Sequence, residues 1–145
     1  MPRPNRKMSQ SYYQIWVHLV WATHCRQPLL VKPVRIKLIN QIRHISVENE
    51  YHLDTINGVE DHLHCLYSLQ PKQTISKVVK DIKGASSHWV NANNLITEYF
   101  NWQDGYAAFS VSYKNVPFLR KYIYEQEKHH TKISFEDEIK KLRED

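Results

Sequence analysis

Asp61-His62-Leu63-His64-Cys65-Leu66-Tyr67 is the stretch on which the reading of this chain turns. In a β-strand successive side chains point to opposite faces, so His62 and His64 emerge side by side while Leu63 and Cys65 turn the other way. Neutral imidazole nitrogens ligate divalent metals, and two at i, i+2 on a rigid strand make a site that still needs a third ligand from elsewhere. A chain with nine His also places two close together by chance, so the pair alone does not establish a site.

Working outward, Tyr51 to Val59 reads as a strand ending at the turn pair Asn57-Gly58, and His62 to Leu69 reads as its hairpin partner. Upstream, Tyr13 to Ala22 is a β-rich run with Tyr13, Ile15, Val17, Leu19 and Trp21 on one face and a mixed set on the other. Gln27-Pro28 breaks that pattern. From Pro33 to about Glu48, Val34, Leu38, Ile42 and Ile45 recur at helical spacing. Downstream, Pro71 ends the His strand, and Thr74 can cap a helix with the apolar stripe Ile75, Val78, Val79, Ile82, Ala85 and Trp89. Asn101 to Gly105 reads as a loop and Tyr106 to Tyr113 as a fourth strand. Asn115 is a candidate N-cap, with Pro117 in the first turn of a helix running to about His129.

The order is β-α-β-β-α-β plus a further helix. It predicts an α+β fold, ferredoxin-like (RRM-like): an antiparallel sheet with both helices on one face and the other face free for ligands. The added helix then has no room in the two-helix layer and must lie across an edge or reach a partner. A tail over residues 132–145, rich in Glu and Lys, contains Ser134, which can cap a closing helix that clasps such a partner.

At 145 residues and 41% apolar content, the chain has material for one core and is expected to be a single domain. No acidic residue precedes Glu48, whereas Arg3, Arg6, Lys7, Arg26, Lys32, Arg35, Lys37 and Arg43 all do. Residues 1–11 form a basic arm. Lys77, Lys80 and Lys83 fall together on the flank of the second helix. This asymmetry favours a polyanionic partner, nucleic acid before an anionic membrane, although many solvated surfaces are merely basic. Cys25 and Cys65 are too few for a disulfide framework or a four-thiolate zinc site. With no signal-peptide core and no apolar run long enough to span a bilayer, the expectation is a cytoplasmic protein.

Tyr122 and Gln126 stand i, i+4 on one helical face, with His129 and His130 a turn further on. The Gln carbonyl oxygen can complete a His-His-Gln metal site, and a phenol beside that metal can attack a polarised phosphate. The plainer reading packs Tyr122 in the core with Phe118, Leu119 and Ile123.

Asp61-His62-Leu63-His64 resembles the HUH motif (His, hydrophobic, His), and Lys121-Tyr122-Ile123-Tyr124-Glu125-Gln126-Glu127 resembles the Tyr-Ile-x-x-Gln signature of the TnpA-type single-tyrosine transposases. These enzymes serve insertion sequences that move as single-stranded DNA, and relatives associated with repetitive extragenic palindromes. The likeness extends to His18-Leu19-Val20-Trp21, Arg26-Gln27-Pro28-Leu29-Leu30, Lys83-Gly84 and His129-His130. It departs at Thr23-His24-Cys25-Arg26, where relatives often carry Lys.

The resemblance implies that His62, His64 and Gln126 bind a divalent cation, Mg²⁺ or Mn²⁺. It implies that Tyr122 cuts single-stranded DNA, becoming linked to the 5′ phosphate and freeing a 3′ hydroxyl. It further implies recognition of hairpin DNA and a homodimer with active sites shared between subunits. Arg3, Arg6, Lys7, Arg26, Lys77, Lys80 and Lys83 are the candidate phosphate contacts. The competing class is a non-catalytic, domesticated single-strand-binding protein that stacks bases on the same sheet. A small metal-dependent hydrolase ranks last, because no carboxylate base lies within the motifs.

Overall fold

The computed structural model describes residues 11–129 and 133–144. Arg3, Arg6 and Lys7 of the basic arm, and His130, lie outside the described residues. Four strands, β1 (Trp16–Ala22), β2 (His52–Gly58), β3 (His62–Ser68) and β4 (Ala107–Val111), form one sheet in the order β2-β3-β1-β4. Every neighbouring pair is antiparallel. The helices are α1 (Lys32–Glu48), α2 (Ile75–Ala92), α3 (Val116–Tyr124), the short α4 (Gln126–His129) and α5 (Phe135–Glu144). The architecture is therefore the expected βαββαβ arrangement with added helices. No helix among the described residues is long and apolar enough to cross a membrane.

One face of the sheet follows the sequence pattern. Val17, Leu19 and Trp21 of β1 and Leu63, Cys65 and Tyr67 of β3 pack against Leu38, Ile42 and Ile45 of α1 and Val78, Val79 and Ile82 of α2. Removing this apolar area from water is the main drive that closes the layer. Thr74 caps α2 as expected, its Oγ1 accepting the Lys77 N–H at 3.3 Å.

The second face is not free. Trp16 and Leu66 are covered by Val116 and Ile123, with Leu119 and Tyr122 packed beside them. All seven residues of both central strands are buried. The added helix thus finds room on the vacant side of the sheet rather than across an edge. Arg120 pins α3 there, donating from Nε and Nη2 to the two carboxylate oxygens of Asp54 on β2, each at 2.8 Å. Asn57 Nδ2 donates to the Tyr124 carbonyl at 3.0 Å. The tail helix packs on the same face: α5 brings Phe135 to 4.3 Å, ring centre to ring centre, from His62. Ser134 does cap it, accepting the Asp137 N–H at 3.2 Å.

Further details differ from the sequence expectations. β1 begins at Trp16 and β4 spans only Ala107–Val111, because the flanking residues find no ladder partner within the named strands. Asn115 makes no side-chain cap; a 3-10 turn over Tyr113–Asn115 leads straight into α3 and leaves Asn115 in helical geometry. The expected single helix to His129 is interrupted at Glu125, whose φ of −95° and ψ of 23° fall outside helical values.

Asn57-Gly58 is not the hairpin turn but the end of β2, paired with His64 and Leu63, and the chain reverses over Val59 to Asp61. Glycine is required at position 58 by close approach: a Cβ there would stand 2.3 Å from the His62 carbonyl oxygen and 2.5 Å from Leu63 Cδ2. Gly58→Ala is expected to lower stability by about 1–3 kcal/mol through overpacking. Chemical denaturation checks this; a loss within error of zero would show that the hairpin yields freely.

Candidate active site

His62 and His64 face α3 and α5 and are fully buried. Pairing sets their depth in the sheet: His64 lies opposite Val20 on β1 and Asn57 on β2, and His62 opposite Ala22. Each ring is held from outside at Nδ1. His62 Nδ1 lies 2.7 Å from Asp61 Oδ1, and His64 Nδ1 lies 2.8 Å from Nε2 of His18. Both Nε2 atoms turn inward, each 3.1 Å from the same oxygen, Oε1 of Glu138.

Glu138 is the residue that sequence reasoning missed. It comes from α5, is 1% exposed, and meets the site with both oxygens. The Tyr122 hydroxyl donates to its Oε2, and Gln126 Nε2 donates to the same oxygen at 3.1 Å. One signal could have revealed it: Phe135, Ile139 and Leu142 make the apolar stripe of α5, and Glu138 sits on that stripe. A carboxylate on the buried face of a helix needs partners.

The structure thus brings His62, His64, Tyr122 and Gln126 together, with the Tyr122 ring 5.7 Å from that of His64 in the same chain. The i, i+4 relation of Tyr122 and Gln126 survives the break at Glu125, Gln126 Nε2 lying 3.5 Å from the Tyr122 carbonyl. Tyr124 points away from the cluster and is exposed.

The residues fit a divalent ion. Ligand atoms of His62, His64 and Glu138 all lie within 4.8 Å of one another, a cluster able to hold a metal. Gln126 Oε1 is buried beside it with no hydrogen-bond partner among the described residues, a carbonyl oxygen with lone pairs to offer. Two imidazoles alone favour softer metals, whereas carboxylate and amide oxygens shift the set toward Mg²⁺ or Mn²⁺.

Electrostatics bind the cluster together. Burial alone would raise the Glu138 carboxyl, but hydrogen bonds from His62 and His64 and their charge outweigh it and hold it at about 2, below its ordinary 4.5. Burial pulls His62 down, yet hydrogen bonds to Asp61 and Glu138 prevail and raise it above 6.5. His18 is depressed to about 3, first by burial and then by neighbouring His64, and is neutral.

Most of the described candidate phosphate contacts have partners of their own. Lys77 pairs with Asp81 at 3.0 Å, and Lys83 Nζ donates to the backbone oxygens of Gln103 and Gly105 at 2.7 and 2.8 Å. Arg26 pairs with Glu136 of α5. These side chains and Lys80 therefore do not converge on Tyr122, and the lysines lie on α2, across the sheet from the His pair.

Residues 11–126 match the family described as Transposase IS200 like. This chain belongs to that family. Over 131 residues it is 30% identical to the ISDra2 transposase TnpA of Deinococcus radiodurans, covering 87% of this chain and 94% of that one. A crystal structure described as a transposase from Deinococcus radiodurans R1 matches with a TM-score of 0.68 at 28% identity, over 84% of this chain and 98% of the other. The structure of a REP-associated tyrosine transposase bound to a REP hairpin shares the fold, with a TM-score of 0.60 at 18% identity, over 86% and 72% of the two chains. In this IS200-like transposase, His62, His64, Tyr122 and Gln126 lie within the family match, and Glu138 lies beyond it.

The linkage has a definite sign. Glu138, depressed when folded, stabilises above about pH 4.5 and loses its contribution as acid approaches pH 2. His62, raised when folded, contributes fully below about pH 6.5 and loses its contribution as pH climbs past its folded value. In metal-free protein, the melting-temperature advantage of wild type over Glu138→Gln is expected to peak between pH 4.5 and 6.5. A pH-independent difference would break the assignment.

Proposed function

We propose that this transposase cleaves and rejoins single-stranded DNA at hairpin-bearing ends of an insertion sequence, through a 5′-phosphotyrosine on Tyr122. The observation that carries this reading is the gathering of a half-buried phenol, two buried imidazoles and a buried amide oxygen that has no partner among the described residues, all within the family match. The hairpin preference is supported by the fold-sharing relative bound to a REP hairpin.

The Tyr122 oxygen bonds to the scissile phosphorus while the bond from phosphorus to the 3′ oxygen breaks, freeing a 3′ hydroxyl. Glu138 Oε2 accepts the hydrogen bond of the phenol and so aims it. The phenol's proton leaves as the new bond forms and ends in solvent, from which the departing 3′ oxygen takes one up. His62, His64 and Gln126 hold a divalent cation, Mg²⁺ or Mn²⁺, with Glu138 at the same point. Such a cation, when bound, polarises the phosphate and steadies the leaving oxygen. Rejoining reverses the exchange: a 3′ hydroxyl attacks the phosphotyrosine and restores the phenol, with no need of ATP. Arg3, Arg6, Lys7, Arg26, Lys77, Lys80 and Lys83 supply phosphate contacts, in the cytoplasm where the DNA lies.

The working unit is proposed to be a homodimer whose sites are shared between subunits. That reading rests on family resemblance, since the space argument for it disappears once α3 is seen on its own sheet.

Incubation with single-stranded hairpin DNA and Mn²⁺, resolved on a denaturing gel, is expected to give a covalent protein–DNA band. Tyr122→Phe is expected to abolish that band while hairpin binding persists, and fully paired duplex is expected to stay uncut. Binding without a band in the wild type would instead make the protein a single-strand binder. Mixing His64→Ala with Tyr122→Phe after co-refolding tests the shared site. A trans arrangement regenerates one intact site per mixed dimer and restores cleavage. No recovery despite proven subunit exchange means that each chain serves itself.

A further inference from the structure

His18 lies on β1 opposite Leu66 and Phe109, is 2% exposed, and takes no part in the motifs that carry the chemistry. Its ring is nonetheless fixed against the site. It meets His64 edge to edge, with ring centres 5.0 Å apart and planes inclined by 24°, and its Nε2 reaches His64 Nδ1 at 2.8 Å. Phe109 at 5.8 Å and Tyr122 at 6.4 Å hold it on two other sides.

We infer that His18 is a positioning residue: its Nε2 accepts the Nδ1–H of His64 and thereby turns the His64 Nε2 lone pair toward the metal. This deepens the proposed function and rests on its metal reading. An imidazole that ligates through Nε2 carries its hydrogen on Nδ1, and that hydrogen needs an acceptor when the ring is fully buried. His62 has the Asp61 carboxylate in that place, 2.7 Å from Nδ1. At His64 the group facing Nδ1 is Nε2 of His18, 2.8 Å away. An imidazole acceptor in that place fixes the tautomer as a carboxylate would, and Glu138 remains the buried acid between the imidazoles.

The test is titration of the full chain with Mn²⁺ alone, followed by calorimetry, beside hairpin-DNA binding and metal-free melting. His18→Phe keeps the ring and removes the acceptor, so Mn²⁺ affinity is expected to fall by about 10–100-fold while hairpin binding holds. His18→Gln sets an amide group near the place of Nε2 and is expected to recover most of the affinity. Should His18→Phe fail to fold, His18→Asn, whose amide stops near the Nδ1 position, is expected to show the same loss. Equal Mn²⁺ affinity in His18→Phe and wild type overturns the inference and leaves the metal reading standing. A His18→Gln variant that melts like wild type but binds as poorly as His18→Phe also overturns it. A wild type that binds no Mn²⁺ sinks the metal reading itself.

Discussion

A buried imidazole must satisfy its nitrogens inside the protein, and this chain buries two of them side by side at the centre of a sheet. Leaving a polar group without a partner in such a place costs about 1–3 kcal/mol, and the rest of the site answers that demand. Asp61 and His18 take the two Nδ1 atoms, and one oxygen of Glu138 faces both Nε2 atoms. Once the carboxylate is there, Tyr122 and Gln126 both point to its other oxygen. The phenol, the amide and the imidazoles are thus oriented by one acidic side chain delivered from the last helix.

The position of α3 follows from a second constraint. A sheet with apolar or buried residues on both faces needs cover on both, and α1 and α2 serve only one. Trp16 and Leu66 draw Val116 and Ile123 onto the other. The Asp54–Arg120 pair, bidentate and with Asp54 largely buried, gives that docking a direction, since a guanidinium fork meets a carboxylate in few geometries. Together these set Tyr122 over His64.

Charge is used more locally than the sequence suggests. Arg35, counted in the cationic N-terminal third, is 4% exposed, donating to the Leu30 carbonyl at 2.6 Å and to Glu127 at 3.0 Å. It ties α1 to α4, the helix that opens with Gln126. Lys83 braces the loop before β4 in the same way. A basic balance therefore overstates the charge free to meet a polyanion, because several of these cations serve the fold.

The order of elements, the core face, the paired histidines and the tyrosine with its glutamine were legible in the sequence. Each is written in a local period of two or of about 3.6 residues, which survives folding unchanged. Gly58 was legible as special but not for its reason, because a close approach to the His62 carbonyl is a property of two strands rather than of one turn. The cover of the second face, the partner of His64 and above all Glu138 belong to tertiary structure. His18 lies 46 residues from His64, and Glu138 lies 76 from His62. No local period spans such separations; only the packing of α3 and α5 against the sheet brings these groups to one point.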